Sequence, residues 1–261
     1  MEIDGAVAIV TGSATGIGAA TARLLASKGC NLVVNYRRSE REAEETAAAC
    51  EAAGAEALTC RADVADDGDC RRLAAAAFER WGRVDALVNN AGVTKYVAFE
   101  DLEGLDAEDF QRLYAVNVIG AYQMTRAVAP HMTAAGRGAI VNVSSITGVM
   151  GVGSSIAYAA SKGALNTMTL ALARALAPEI RVNAVCPGFV QTRWTIEGAG
   201  LEAYEKQKAH HESRTPLKLA GTPEEIAKAV VFFVEGADHV TGEILIVDAG
   251  WHLGGAGLVA R

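Results

Sequence analysis

Proline is scarce in this chain, five in 261 residues, and aromatic residues make up only 6% of it. No stretch reads as a linker or a low-complexity tract, and no repeat appears at the roughly 20 to 50 residue periods of solenoids and propellers. The five cysteines, Cys30, Cys50, Cys60, Cys70 and Cys186, are odd in number and show no C-x-x-C spacing. That argues against a disulfide framework or a zinc site and for free thiols in a reducing compartment. Basic residues are in the minority, 24 Lys and Arg against 31 Asp and Glu for a formal charge of -7, and they form no dense cluster. A nucleic-acid partner is therefore not expected. No apolar run approaches the ~18 residues of a membrane span. The first strand pattern starts almost at Met1, which leaves no room for a leader. The expectation is a cytoplasmic protein without a membrane partner.

Hydrophobic residues, by contrast, are 51% of the chain, enough for a substantial core. Short β-branched runs ("AVAIV", "NLVVN", "EALTC", "DALVN", "GAIVNVS", "IRVNAVC", "ILIVD") alternate with longer Ala-rich amphipathic stretches. Seven strands joined by helical crossovers predict an α/β fold: a doubly wound, Rossmann-type parallel sheet with helices on both faces. One catalytic domain is expected over residues 1–261, with ligands at the carboxyl ends of the strands. Only residues 189–221 break the rhythm, a partly helical segment too long for a plain connection and read as a lid.

The first strand runs into "TGSATGIG", residues 11–18, and then into a helix. Gly12 permits a tight turn, Gly16 and Gly18 a close backbone approach, and the helix start offers unpaired N–H groups to a pyrophosphate. Gly12, Ser13, Thr15, Gly16, Ile17 and Gly18 are accordingly expected against a dinucleotide. A purely structural turn is the competing reading, since the spacing is G-x-x-x-G-x-G rather than G-x-G-x-x-G. At the tip of the second strand, "NYRRSE", stand Tyr36, Arg37 and Arg38 where a carboxylate would hydrogen-bond a ribose hydroxyl. Glu40 is no substitute, because Ser39 with Glu42 reads as a capping box that puts Glu40 in the next helix's first turn. Arginine at this position accommodates a 2′-phosphate, so NADP(H) is preferred and NAD(H) possible. The alternative is a pair of solvated arginines beside an acidic helix.

Further along, "YAASK" puts Tyr158 and Lys162 one helical turn apart on the same face. Ser145, thirteen residues earlier at a strand end in "NVSS", can fold back towards the phenol. An ammonium near a phenol favours the phenolate, which suits proton exchange near neutrality. A serine hydroxyl can donate to a carbonyl oxygen as charge develops on it. Opposite a nicotinamide, the three would couple hydride transfer to proton transfer.

With these residues in place, the chain resembles the classical short-chain dehydrogenase/reductase family along nearly its whole length. The matching motifs are "TGSATGIG", "NNAG" at 89–92, Asn117 in "AVNVIG", the set Ser145, Tyr158 and Lys162, and "CPGFVQT" at 186–192. The resemblance implies Tyr158 as general acid/base, Lys162 also on the nicotinamide ribose, Ser145 on the substrate oxygen and Asn117 in a water-linked proton relay. It further implies Asp63 and Val64 beside the adenine. Asn89, Ala91 and Gly92 would line the cofactor, and Pro187, Gly188, Val190 and Thr192 would steady the nicotinamide. Each has a plainer reading: Asn117 as a partner for backbone groups, Asp63 as a turn residue, Thr192 as a helix cap. The family also places a basic residue just before Gly16, where this chain has Thr15.

The expected substrate is a small ketone or secondary alcohol with a hydrophobic or aromatic body, contacted by Val93 to Phe99, Ile146 to Ser155, Phe189, Trp194, Tyr204, His210 and His211. The closest look is to 3-oxoacyl-carrier-protein reductases, although the segment before strand five offers only His131 and Arg137 as basic docking residues. A non-catalytic dinucleotide-binding regulator on the same fold is the alternative from another class. No metal site is expected from the adjacent histidines. The resemblance implies a homotetramer.

Overall fold

The computed structural model describes residues 1–254. Its seven strands are β1 (Val7–Val10), β2 (Asn31–Tyr36), β3 (Ala57–Arg61), β4 (Ala86–Asn89), β5 (Gly138–Val143), β6 (Ile180–Pro187) and β7 (Ile244–Val247). They form one parallel sheet in the order β3-β2-β1-β4-β5-β6-β7. Every residue of β1, β4 and β5 is buried, as expected of near-continuous apolar runs in a sheet covered on both sides. The pleat divides β1 between two cores: Ala8 and Val10 join one, Val7 and Ile9 the other.

On the first face lie α1 (Gly16–Ala26), α2 (Glu40–Ala52) and α10 (Pro223–Glu235), which supply Leu25, Ala43, Val230 and Phe233. On the second, α3 (Asp67–Trp81) and α5 (Ala121–Ala134) supply Leu73, Met124, Val128 and Met132. The helix boundaries follow from local chemistry. Asp66 caps α3 through the Asp69 N–H and left-handed Gly82 ends it. Thr222 and Glu225 form a capping box on α10, with Pro223 in its first turn. The doubly wound architecture read from the alternation of strands and helices is the one observed.

Two local expectations change. The stretch "AEDFQRLYAVNVIGAYQMTRAVAPHM", residues 107–132, reads in sequence as one long helix, but it is interrupted: α4 (Ala107–Tyr114) passes into α5 through a π-helical turn, Ala115–Gly120. Asn117 stands in that turn, and such bulges re-aim a side chain. The capping box expected at Ser39 and Glu42 does not form: both side chains are turned to Arg193, from which they accept hydrogen bonds. Glu40 does begin α2, but its carboxylate takes the Tyr36 hydroxyl.

Sheet order reverses between β1 and β4, so the loops that follow them diverge and open a crevice at the carboxyl edge. The segment 189–221 covers it with α8 (Arg193–Ala199) and α9 (Leu201–Arg214). The segment's ends meet in a bridge between Val190 and Gly221, the closed-end geometry of a compact surface loop.

Candidate active site

The crevice has a volume of about 720 Å³ and runs from the tip of β2, past the start of α1, to the lid. At its centre the glycine loop is built for close approach. Gly12 has φ +61°, and a Cβ there would lie 3.0 Å from Ala91 Cα. Gly16, at φ +58°, opens α1. Thr15 occupies the cap position without a side-chain hydrogen bond, and the first turn carries no acid. The α1 start therefore keeps its N–H groups and positive dipole end for an anion. These features fit a dinucleotide pyrophosphate, and Gly12, Thr15, Gly16 and Ile17 line the crevice beside it.

Four of the expected residues stand behind the wall rather than on it. Ser13 is fully buried; its hydroxyl donates to Val10 O and accepts the Asn35 N–H, so it joins β1 to β2. Gly18 is glycine for packing, since a Cβ would meet Gly12 O at 2.6 Å and Asn90 Nδ2 at 2.5 Å. Asn89 donates to Asn142 Oδ1 between β4 and β5, and its own Oδ1 has no partner among the described residues. Its neighbour Asn90 lines the crevice instead and holds the loop through Thr11 O and Gly12 O. Asn117 spends its amide on Val93, accepting its N–H at 2.9 Å and donating to its carbonyl at 3.0 Å, and on Ser161 Oγ at 3.0 Å.

At the β2 end of the crevice, Arg37 Nε lies 2.8 Å from Asp63 Oδ2. Asp63 also accepts the Ala65 N–H, so the turn reading holds for it alongside the ion pair. Arg38 lines the crevice and, among the described residues, enters no ion pair. Tyr36 is mostly buried and donates to Glu40 Oε1 at 2.7 Å; that bond to a carboxylate raises its phenol above the usual range. Val64, Ala91, Gly92, Pro187, Gly188, Val190 and Thr192 all line the crevice.

Towards the lid the structure brings Ser145, Tyr158 and Lys162 to one wall. They stand there because Ser155 caps α7 (Ile156–Leu176), its hydroxyl accepting the Tyr158 N–H, while Ser145 sits between β5 and the short helix α6 (Thr147–Met150). Ser145 Oγ donates to Thr147 Oγ1 at 2.8 Å and accepts the Thr147 N–H at 3.1 Å. The expected lowering of the Tyr158 phenol by Lys162 is not what the geometry gives. Burial pushes the phenol up, and the nearby Ser145 hydroxyl opposes this only in part. Lys162 Nζ donates to Val143 O at 2.8 Å and sits 5.7 Å from the Tyr158 ring centroid. Burial also brings the Lys162 ammonium down to about 8.

The lid end of the crevice is walled by Tyr96, Val152, Phe189, Trp194, His211 and Trp251. Trp194 stands 6.3 Å from the Tyr158 ring, centroid to centroid, and His211 stacks on Phe189 at 5.2 Å. Tyr204 and His210 pack behind, against Phe189 and Trp251 respectively. Burial and the neighbouring His210 lower His211. Among the described residues no group of three His, Cys, Asp or Glu could hold a metal. Asn90, Arg193 and Trp251 line the crevice without having been singled out from sequence. Asn90 lies inside the "NNAG" motif and Arg193 directly follows "CPGFVQT", so adjacency to a motif was the available signal.

Comparison with known proteins places these features in context. The family described as enoyl-(acyl carrier protein) reductase matches residues 12–252. The chain is 44% identical to "Granaticin polyketide synthase putative ketoacyl reductase 2" of Streptomyces violaceoruber, over 95% of this chain and 96% of that protein. It is 40% identical to the cis-4-hydroxycyclohexanecarboxylate dehydrogenase of Sinomonas cyclohexanicum, over 94% of this chain and 96% of that one. A crystal structure from Burkholderia xenovorans titled as a "putative short-chain dehydrogenase/reductase" superposes with a TM-score of 0.88 at 41% identity, covering 95% of this chain and 98% of the other.

Proposed function

Since the chain belongs to the short-chain dehydrogenase/reductase family and is an NAD(P)(H)-dependent oxidoreductase, we propose that it is an NADP(H)-preferring enzyme interconverting a cyclic or aromatic ketone and its secondary alcohol, with Tyr158 as general acid/base. The observation that carries this reading is the convergence of Ser145, Tyr158 and Lys162 on one wall of a crevice whose other end holds Arg37 and Arg38. The nicotinamide, when bound, supplies or accepts the hydride.

The chain's own residues do the rest. Ser145 turns its hydroxyl from Thr147 to the substrate oxygen and steadies the charge that develops there. Tyr158, kept as a neutral phenol by burial, holds the proton that ketone reduction consumes. Lys162, held by Val143 O beneath the tyrosine, favours phenolate once that proton has left. Asn117 fixes Val93 and, through Ser161, the turn of α7 that carries Tyr158, since Ser161 Oγ donates to Tyr158 O. Trp194, Phe189 and Val152 exclude water and seat an apolar ring.

Substrate class rests on this lining and on the two relatives named above, one a ketoacyl reductase of polyketide synthesis and one acting on a hydroxycyclohexane carboxylate. Reduction of 3-oxoacyl carrier-protein thioesters is the second reading, favoured by 34% identity to such a reductase of Thermotoga maritima. The test is reduction of a panel of cyclic ketones, aromatic ketones and β-ketoacyl thioesters with NADPH and NADH. Turnover of thioesters alone would select the second reading; a lower KM for NADH than for NADPH would overturn the cofactor assignment. We propose in addition one catalytic domain acting in the cytoplasm as a homotetramer. Exposed Ile119 and Tyr122, at 49% and 45%, support that assembly. Light scattering checks it.

A further inference from the structure

Arg193 is the first residue of lid helix α8, and its guanidinium reaches out of the lid to the start of α2. Nη2 donates to Ser39 Oγ at 2.9 Å and Nη1 to Glu42 Oε1 at 3.0 Å. Ser39 directly follows Arg38 in the chain, and Arg37, Arg38, Ser39 and Arg193 line the same crevice. One lid cation thus stands at the tip of β2. The Ser39 hydroxyl holds none of the α2 backbone N–H groups, although it occupies the cap position; it is turned towards Arg193.

The contact is an exchangeable one. Arg193 is 40% exposed and Glu42 27% exposed, and ion pairs of that kind have little net worth in water. Arg193 also touches Glu197 of its own helix at 3.3 Å, so two carboxylates share one guanidinium. A phosphate ester carries more charge than either and presents several oxygens to a planar fork of donors. A helper has a place there: of the two cations at the strand tip Arg37 is held by Asp63, which leaves Arg38 alone without an ion-pair partner among the described residues, and Thr15 supplies no charge from the glycine loop.

We propose that Arg193 is a second reader of the cofactor's 2′-phosphate, brought by the lid, and that exchange of Glu42 for this phosphate fixes α8 over the bound dinucleotide. The inference rests on the NADP(H) assignment of the β2 tip. It makes cofactor choice and lid position one event, and it gives Glu42 the role of a competitor that holds Arg193 until the phosphate arrives.

The test uses 2′,5′-ADP and 5′-ADP as probes, titrated calorimetrically into the full-length protein and its Arg193→Gln, Arg193→Lys and Glu42→Gln variants, with thermal melts showing each to be folded. Arg193→Gln is expected to weaken 2′,5′-ADP about tenfold and to leave 5′-ADP within about twofold, with Arg193→Lys between. Glu42→Gln is expected to act in the opposite sense and tighten 2′,5′-ADP by about threefold, because the competitor loses its charge. Amide exchange across residues 193–199 should slow on adding 2′,5′-ADP to the wild type and not to Arg193→Gln. Equal losses of both probes in Arg193→Gln, or weakening of 2′,5′-ADP by Glu42→Gln, would reduce Arg193 to a lid tie and overturn the inference while leaving the cofactor assignment standing. A wild type that binds the two probes equally well would remove the assignment and the inference together.

Discussion

Ser145 and Thr147 hold each other from two sides: the serine hydroxyl donates to the threonine hydroxyl, and the threonine N–H donates back to the serine oxygen. The group proposed to steady the substrate oxygen is thereby fixed in place, with its proton resting on a neighbour that a carbonyl must displace. Thr147 is a positioning residue in this account. Thr147→Val, which keeps the N–H and removes the hydroxyl, should lower kcat about tenfold with the cofactor Kd unchanged, and Thr147→Ser should restore most of it. Steady-state kinetics with cofactor titrations would show it; a loss confined to KM would argue against the role.

The ion pair of Arg37 with Asp63 bears on cofactor choice. Arg37→Glu puts two carboxylates together at the adenosine end and should raise KM for NADPH by tenfold or more, roughly one lost charge-assisted phosphate contact. KM for NADH should rise far less. Parallel KM measurements with the two cofactors decide it, and equal effects on both would count against NADP(H).

Gly18 supports the glycine loop by packing rather than by touching a ligand. A methyl group there meets the Gly12 carbonyl at 2.6 Å, and that backbone has little space to move. Gly18→Ala should cost about 1–3 kcal/mol of stability, the usual range for overpacking. Urea denaturation is the measurement, and cofactor affinity should fall with it.

Lys162 makes a pH prediction. Its ammonium, nearly fully buried, titrates at about 8 in the folded chain against an ordinary 10.5. Between those values the unfolded chain binds more protons than the folded one, so this group makes stability rise with pH across that window. Below about 8 both states carry the charge and the full burial cost remains. Relative to Lys162→Met, the wild type should gain roughly 3 kcal/mol between pH 7.5 and 10.5, measured by urea denaturation at each pH.

Much of this was legible in the sequence. The sheet was readable because buried parallel strands are near-continuous β-branched runs, and "AVAIV" and "GAIVNVS" have no other plausible use. Tyr158 and Lys162 were readable because helical periodicity alone puts them on one face. What sequence does not carry is which way a side chain turns when it has a choice. Ser13 and Asn89 lie within motifs at the crevice, yet both turn into the sheet to meet backbone or side-chain partners there. Ser39 and Glu42 have the spacing of a capping box, but Arg193, more than 150 residues away, takes both. The π-helical turn at Asn117 was hidden for the same reason, since its stabilising contacts lie on Val93 and Ser161. Long-range partners decided each case, and local spacing contains no record of them.

The central claim is that Tyr158 gives and takes the proton. The most direct measurement is kcat/KM for NADPH-dependent reduction of an active ketone by Tyr158→Phe, alongside NADPH affinity by fluorescence titration. The account predicts a loss of at least about a hundredfold in kcat/KM, the usual worth of a positioned general acid, with affinity within about twofold of the wild type. Activity within a few fold of the wild type in that variant, with the cofactor still bound, would contradict it.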